Sequence, residues 1–321
     1  MRVLFAGSPD IAVPTLRALA REHQVVGVLT NPESAKGRGR TLTSTPVGVA
    51  ARELLGSDCP VLAPTTLGAA ARAEVAALKP EILVAFAYGR IFGPKFLALF
   101  PRGGINVHPS LLPHYRGSSP IQQAILDMVP ETGVSVQRIA LEMDTGDLLC
   151  AEKIPLTGRE TTGSLSAVAA AKGAELTLAA LSAMEEGRDE ATPQRGQPSW
   201  CQKIGKEDGL VDWHLPCAQI DARIRAFNPW PMAYTFLRGQ RLNLLESFPY
   251  PDGAGLSALP KVPPGTIIRI DKASGGILVQ TGSGVLGLRV VQLSARKALP
   301  FVQFANGVRD LPGTLLTSRP E

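Results

Sequence analysis

RVLFAGSPDIAVPTLRALAREHQVVGVLT, residues 2–30, decides the fold of the first half of the chain. RVLFAG (2–7) is apolar after its first residue and stops at Gly7, which predicts a buried strand. Pro14–Ala20 has apolar residues at helical spacing, with Ser8 and Asp10 placed to cap it, and VVGVLT (25–30) is rich in β-branched residues. Strand, helix and strand in this order predict a βαβ unit with parallel strands. The alternation continues outward through a helix near Val47–Leu55, a short strand PVLA (60–63), a helix near Gly68–Leu78 and the fully apolar ILVAFA (82–87). An uninterrupted apolar run of that length suits a strand buried on both faces. INVHPS (105–110) and VSVQRIA (134–140) add strands, and an alanine-rich helix over Leu165–Glu186 closes the half. The expectation for residues 1–188 is an α/β domain with a Rossmann-like, mostly parallel sheet.

Residues 189–206 are polar and aperiodic and contain two prolines, which predicts an interdomain linker. Beyond it the pattern changes. After a helix over Pro216–Ala226, the runs AYTFL, RLNLLES, GTIIRI, GILVQTG and VLGLRVVQLS are short, strand-like and separated by turn residues. So many short strands within residues 207–321 predict a small OB-like β-barrel. With 321 residues, 45% hydrophobic and 19% charged, the chain is globular in composition, neither disordered nor collagen-like. No uninterrupted apolar run reaches bilayer-spanning length and the N-terminus has no signal-peptide pattern, so a cytoplasmic protein without a membrane partner is expected. Cys59, Cys150, Cys201 and Cys217 form no CxxC pair, and neither a disulfide framework nor a metal site is expected. The net charge of +5 is unevenly spread. Residues 1–188 hold 18 basic and 17 acidic side chains, residues 189–321 hold 15 and 11. A basic C-terminal part suits a polyanionic partner without requiring one.

Among the four histidines, His108 stands out. The period of two in NVHPS puts Asn106 and His108 on one face of the strand and Val107 on the other, at the carboxyl end where open α/β sheets bind ligands. MDTGD (143–147) follows the strand VSVQRIA, so Asp144 is expected beyond that strand's carboxyl end, converging on the same crevice. Taken singly, His108 also reads as a core histidine and Asp144 as a turn-forming residue. Together, an amide, an imidazole and a carboxylate suit acyl transfer to an amine.

The runs NVHPSLLPHYRGSSPIQQAI (106–125) and TGVSVQRIALEMDTGDLL (132–149) resemble the folate-dependent formyltransferase family, in which an Asn, a His and an Asp form the active site. FAGSPDIAVPTLRAL (5–19), KGRGRTLTSTPV (36–47) and IRAFNPWPMAYTF (224–236) are similar to the branch whose acceptor is methionine carried on initiator tRNA. The resemblance implies formyl transfer from 10-formyltetrahydrofolate, a consumed co-substrate, with Asn106, His108 and Asp144 as catalytic residues. Asp144 would then pair with His108 and favour its charged form. It further implies that Ser110, Leu111, Leu112 and Pro113 contribute to the folate site and that Phe86, Ala87 and Tyr88 border the pterin. In relatives small residues, often alanines, stand at Ser118 and Ser119, and no loss of function is expected from the serines.

Lys36, Arg38 and Arg40 are interleaved with glycines directly after the second strand, and the resemblance gives this loop the tRNA acceptor end. Without the resemblance it reads first as a solvated basic surface loop with no role; GxxxxGK[ST] is absent, so it is not a P-loop. Arg238, Arg241, Arg269, Lys272, Arg289, Arg296 and Lys297 would give the barrel a second electrostatic surface. FNPWP (227–231) reads as a rigid turn at the entry to the barrel. A formyltransferase acting on a sugar-nucleotide amine is the nearest rival, and a catalytically silent RNA-binding protein is the rival from another class. The basic loop disfavours the first and the intact Asn, His and Asp disfavour the second. A monomer in a bacterial cytoplasm is the corresponding expectation.

Overall fold

The computed structural model of the chain describes residues 1–36, 41–251 and 260–320. Its N-terminal strands are β1 (Arg2–Gly7), β2 (Gln24–Leu29), β3 (Ser34–Lys36), β4 (Thr41–Thr43), β5 (Val61–Leu62), β6 (Ile82–Phe86), β7 (Gly104–His108), β8 (Arg116–Gly117), β9 (Glu131–Arg138), β10 (Leu148–Pro155) and β11 (Trp200–Cys201). The helices are α1 (Val13–Glu22), α2 (Pro46–Leu55), α3 (Ala69–Ala77), α4 (Pro94–Leu97), α5 (Pro120–Leu126) and α6 (Thr162–Glu185). β1 is buried from Val3 to Gly7, which fits its interior place in a seven-stranded sheet of order β10-β9-β7-β6-β1-β2-β5. The five strands β7, β6, β1, β2 and β5 are parallel to one another, as the alternating sequence predicts. β9 runs antiparallel to β7, and β10 antiparallel to β9. β3 and β4 form a separate hairpin with Lys36 opposite Thr41.

Ser8 and Asp10 do not cap α1 through their side chains. A short 3-10 turn over Asp10–Ala12 precedes the helix, whose N-cap is Ala12, and the Ser8 hydroxyl instead accepts from the backbone and side-chain N–H groups of Asn31. The long helix α6 is apolar enough over its length to qualify as a bilayer span by composition alone. In the fold it is a core helix. Leu165, Ala169, Ala170, Ala174 and Leu181 are buried, and Gly173 lets it approach the sheet: a Cβ there would lie 3.0 Å from Val107 Cγ1 and 3.1 Å from Phe86 Cε1.

Two compact units divide the chain. The first comprises residues 1–120, 131–156 and 165–202, and the second residues 121–130, 157–164 and 203–321. Residues 189–202, expected within a linker, thus run along the first unit; the pairing of β11 with β8 and of Thr192 with Leu148 holds them there.

The second unit contains α7 (Cys217–Ala226), β12 (Ala233–Leu237), β13 (Gln240–Pro249), β14 (Ile267–Asp271), β15 (Gly276–Gln280), β16 (Val285–Leu293), β17 (Leu299–Pro300), α8 (Phe301–Gly307) and β18 (Leu316–Thr317). Its strands make an antiparallel sheet in the order β14-β15-β16-β13-β12-β18, with β17 added to β16. A bridge between Thr266 and Leu315 joins the two edges, which curls the sheet into the expected OB-like form. Ile220 and Ile224 of α7 pack inside the curl with Val211, Leu244, Val279, Leu286 and Val291. Each such side chain, fully buried, contributes about 1.5–3 kcal/mol of transfer free energy.

Candidate active site

β7 builds the site from both of its faces. Val107 points toward α6, which closes that side at Gly173, so Asn106 and His108 project from the other face. There they line a cavity of about 400 Å³ together with Asp144, Tyr88, Gln137 and the segment Ile139–Met143. The His108 ring is 5% exposed and the Asp144 side chain 11%. His108 Nε2 lies 2.8 Å from the Tyr115 carbonyl oxygen. A carbonyl can only accept, so Nε2 carries a proton and Nδ1 is the ring atom turned to Asp144, 3.6 Å from Oδ2. The other contacts of Asp144 are donors: Gly117 N–H to Oδ2 at 2.8 Å and Gln137 Nε2 to Oδ1 at 3.1 Å. Asn106 is half-buried, and among the described residues no hydrogen bond to its side-chain amide is found.

Asp144 reaches His108 by a route different from the expected one. Because β9 is antiparallel to β7, with Asn106 opposite Gln137 and His108 opposite Ser135, the carboxyl end of β9 lies beside the amino end of β7. The convergence of two carboxyl ends expected from sequence therefore does not occur. Instead the segment after β9 folds back until Gly146 rests on the Arg138 carbonyl, so closely that a Cβ on Gly146 would overlap that oxygen. Asp144 itself takes φ 56°, a left-handed conformation that Asp tolerates better than most residues.

Of the residues expected at the folate site, Ala87 and Tyr88 line the cavity. Burial pushes the Tyr88 phenol up, with the Arg90 cation opposing it, and the ring stacks on Phe92 at 5.4 Å. Phe86 lies on the far face, its ring against Gly173. Ser110, Leu111, Leu112 and Pro113 form the turn behind His108. Ser110 is fully buried with its hydroxyl donating to the His114 carbonyl, the Leu112 N–H donates to Ser135 Oγ, the Leu111 side chain covers Gly133, and the Pro113 carbonyl accepts from Ser199 N–H. Lys36 ends β3; Arg38 and Arg40 lie outside the described residues. Ser119 is buried and its N–H faces Cys201 Sγ, whereas Ser118 lines the cavity. In the second unit Arg241 stacks over Tyr234 and Arg289 over Phe248, Arg238 donates to the Arg309 and Asp310 carbonyls, and Arg269 pairs with Asp271. Lys272, Arg296 and Lys297 are exposed.

The sequence reading missed Gln137 and the rim residues Ile91, Leu141 and Met143, which are apolar yet 69%, 62% and 49% exposed at the cavity mouth. Gln137 was legible in one respect: Ser135 and Gln137 alternate with Val134 and Val136, so they share one face of the strand, and the pairing of Ser135 with His108 makes it the site-facing row. Gln194 was missed as well. It joins the site from residues 189–202 by donating to the carbonyls of Asp144 and Gly146.

This mostly parallel sheet, with an amide, an imidazole and a carboxylate at one apolar-rimmed cavity, and the curled antiparallel sheet after it match the two domains of the formyl transferase family, to which the chain belongs. The profile described as "Formyl transferase" matches residues 1–181, and "Formyl transferase, C-terminal domain" matches residues 203–309. Within the family it belongs with the methionyl-tRNA formyltransferases: the Treponema denticola protein of that name is 43% identical over 97% of this chain and 98% of its own length. Two solved structures share the fold. An N-formyltransferase from Helicobacter canadensis in complex with folinic acid and dTDP-3-aminofucose has a TM-score of 0.64 at 18% identity, covering 90% of this chain and 98% of that one. A methionyl-tRNA formyltransferase from Clostridium thermocellum has a TM-score of 0.54 at 15% identity, covering 79% of this chain and 95% of that one.

Proposed function

We propose that the chain transfers the formyl group of 10-formyltetrahydrofolate to the α-amino group of methionine carried on initiator tRNA. What supports this reading is the meeting of Asn106, His108 and Asp144 at one wall of a cavity with an exposed apolar rim. Ile91, Leu141 and Met143 offer a flat aromatic ring the surface it needs to leave water, and the backbone of 139–143 offers polar groups along the same strip. The folate is a substrate here, supplying the formyl carbonyl and an amine leaving group.

The chain's own residues supply position and charge stabilisation. Asn106 donates its unpartnered amide to the formyl oxygen as negative charge develops there. As the imidazolium paired with the Asp144 carboxylate, His108 carries a proton on both nitrogens: Nε2 is engaged by Tyr115, and the 3.6 Å gap to Asp144 leaves the Nδ1 proton room to reach a substrate oxygen. One well-placed donor of this kind is worth about 2.7–4 kcal/mol. Asp144, fixed by Gly117 and Gln137, orients the imidazole and steers the proton leaving the attacking amine. In the balance a new N–C bond forms at the amine, the C–N10 bond breaks, and the proton lost by the amine is matched by one gained at N10.

Catalysis falls to residues 1–188, with Ala87 and Tyr88 beside the folate and the turn from Ser110 to Pro113 behind His108; Phe86, on the far face, takes no part in the folate site. The reading assigns tRNA contacts to Lys36, Arg38 and Arg40 and to the basic surface of residues 207–321. It describes a monomer of the bacterial cytoplasm with neither a metal nor a membrane partner. The test is incubation with 10-formyltetrahydrofolate and either charged initiator tRNA or a nucleotide-linked amino sugar. Formylated methionyl-tRNA is the expected product, and formylation of the sugar alone would replace this reading with its nearest rival.

A further inference from the structure

Gln194 lies in a stretch whose prolines and polar residues read as a linker, yet its side chain is the most heavily engaged amide of the first unit. Its Oε1 accepts from Arg116 Nε at 3.2 Å and Nη2 at 2.6 Å. Its Nε2 donates to the backbone carbonyls of Asp144 at 2.9 Å and Gly146 at 2.8 Å, and approaches Gln137 Oε1 at 3.2 Å. The orientation of both amides follows from the partners. A guanidinium only donates and a carbonyl only accepts, so Oε1 must face Arg116 and Nε2 must face the loop. Gln137, receiving from Gln194, is left with its own Nε2 to donate to Asp144 Oδ1.

Two routes therefore lead from Gln194 to one carboxylate. One holds the loop backbone on either side of Thr145, and the other sets the amide that grips Asp144 Oδ1. The anchor beneath is firm. Asp189 pairs with Arg138, Thr192 exchanges two backbone hydrogen bonds with Leu148 at 2.8 Å, and the Ser199 hydroxyl accepts from Tyr115 N–H at 2.9 Å. Arg116 is itself held over the Trp200 ring at 5.6 Å. The segment thus closes around the back of the site like a strap, with Gln194 as its contact to the catalytic loop.

We propose that Gln194 is a positioning residue that sets the Asp144 loop for formyl transfer, an assignment that rests on the function proposed above. Gln194→Glu separates this role from docking of the strap. The carboxylate keeps, and by its charge strengthens, the acceptor for Arg116, but it turns an acceptor toward the Asp144 and Gly146 carbonyls. Single-turnover formylation, thermal melting and hydrogen exchange are measured on the full chain for the parent, Gln194→Glu, Asp144→Ala and the double variant. The expected result is a loss of at least about tenfold in rate for Gln194→Glu with its melting temperature retained, and faster exchange across residues 139–147. In the Asp144→Ala background the same change adds less than about threefold, because the group it positions is gone. Parental rate and exchange in Gln194→Glu, or a full further loss in the Asp144→Ala background, would overturn the assignment. A parent that formylates no tRNA would remove the proposed function instead, and the exchange data would still decide whether Gln194 holds the loop.

Discussion

Gly146→Ala tests how the catalytic carboxylate is placed. A Cβ at this position would overlap the Arg138 carbonyl oxygen, and because that oxygen belongs to the β9 backbone it has no flexible end to swing aside. The loop must withdraw, by about an ångström or more, to restore ordinary contact between carbon and oxygen. Asp144 sits two residues away and moves with it, stretching hydrogen bonds to Gly117 and Gln137 that now measure 2.8 and 3.1 Å. A misplacement of about 1 Å at a reacting geometry costs on the order of 10²-fold in rate. The loop is a surface segment, with Leu141, Glu142 and Met143 exposed, so global stability should fall only slightly. Single-turnover formylation of methionyl-tRNA, beside a melting curve, reads both quantities. A folded Gly146→Ala variant with parental rate would refute the reasoning, since Asp144 would then not depend on the close approach of its loop to β9.

Three further outcomes are expected. Gly173→Val should destabilise the first unit by about 1–3 kcal/mol, read by chemical denaturation, because the added carbons meet the packed Val107 and Phe86 side chains with no free volume between helix and sheet. Burial pushes the Cys150 thiol up to about 11, so at neutral pH it should alkylate orders of magnitude more slowly than a free cysteine and become reactive on unfolding or as pH rises toward 11; mass spectrometry after timed iodoacetamide treatment checks this. Arg38→Ala or Arg40→Ala should raise KM for tRNA severalfold and leave folate affinity unchanged, as loss of a phosphate contact would; equal kinetics on tRNA would take the loop out of the mechanism.

β1 and β6 were readable because each is a short apolar run buried almost throughout, and burial on both faces enforces that composition. The direction of β9 was not readable. Its six residues from Thr132 to Gln137 are all buried, and nothing in such a run says which way the strand is laid beside β7. The expected meeting of His108 and Asp144 was therefore reached for the wrong geometric reason, with the fold-back at Gly146 supplying what strand direction did not. β10 went unnoticed as a strand because it is an edge strand, with Ala151, Lys153 and Pro155 exposed between less accessible neighbours. Gln194 was invisible for a related reason: its partners lie 48 to 78 residues away, and locally it sits among prolines and charges that resemble a solvated connection. Asn106 and His108 were legible because a strand's period of two converts spacing directly into a shared face.

Asn106 and Asp144 bear on the central claim most directly. Single-turnover formylation of charged initiator tRNA, measured for Asn106→Ala and Asp144→Ala beside the parent with melting temperatures recorded for all three, should show both variants folded and each slowed at least about tenfold. Near-parental transfer rates in either variant would contradict the assignment of the cavity wall at β7 as the place where the formyl group changes hands.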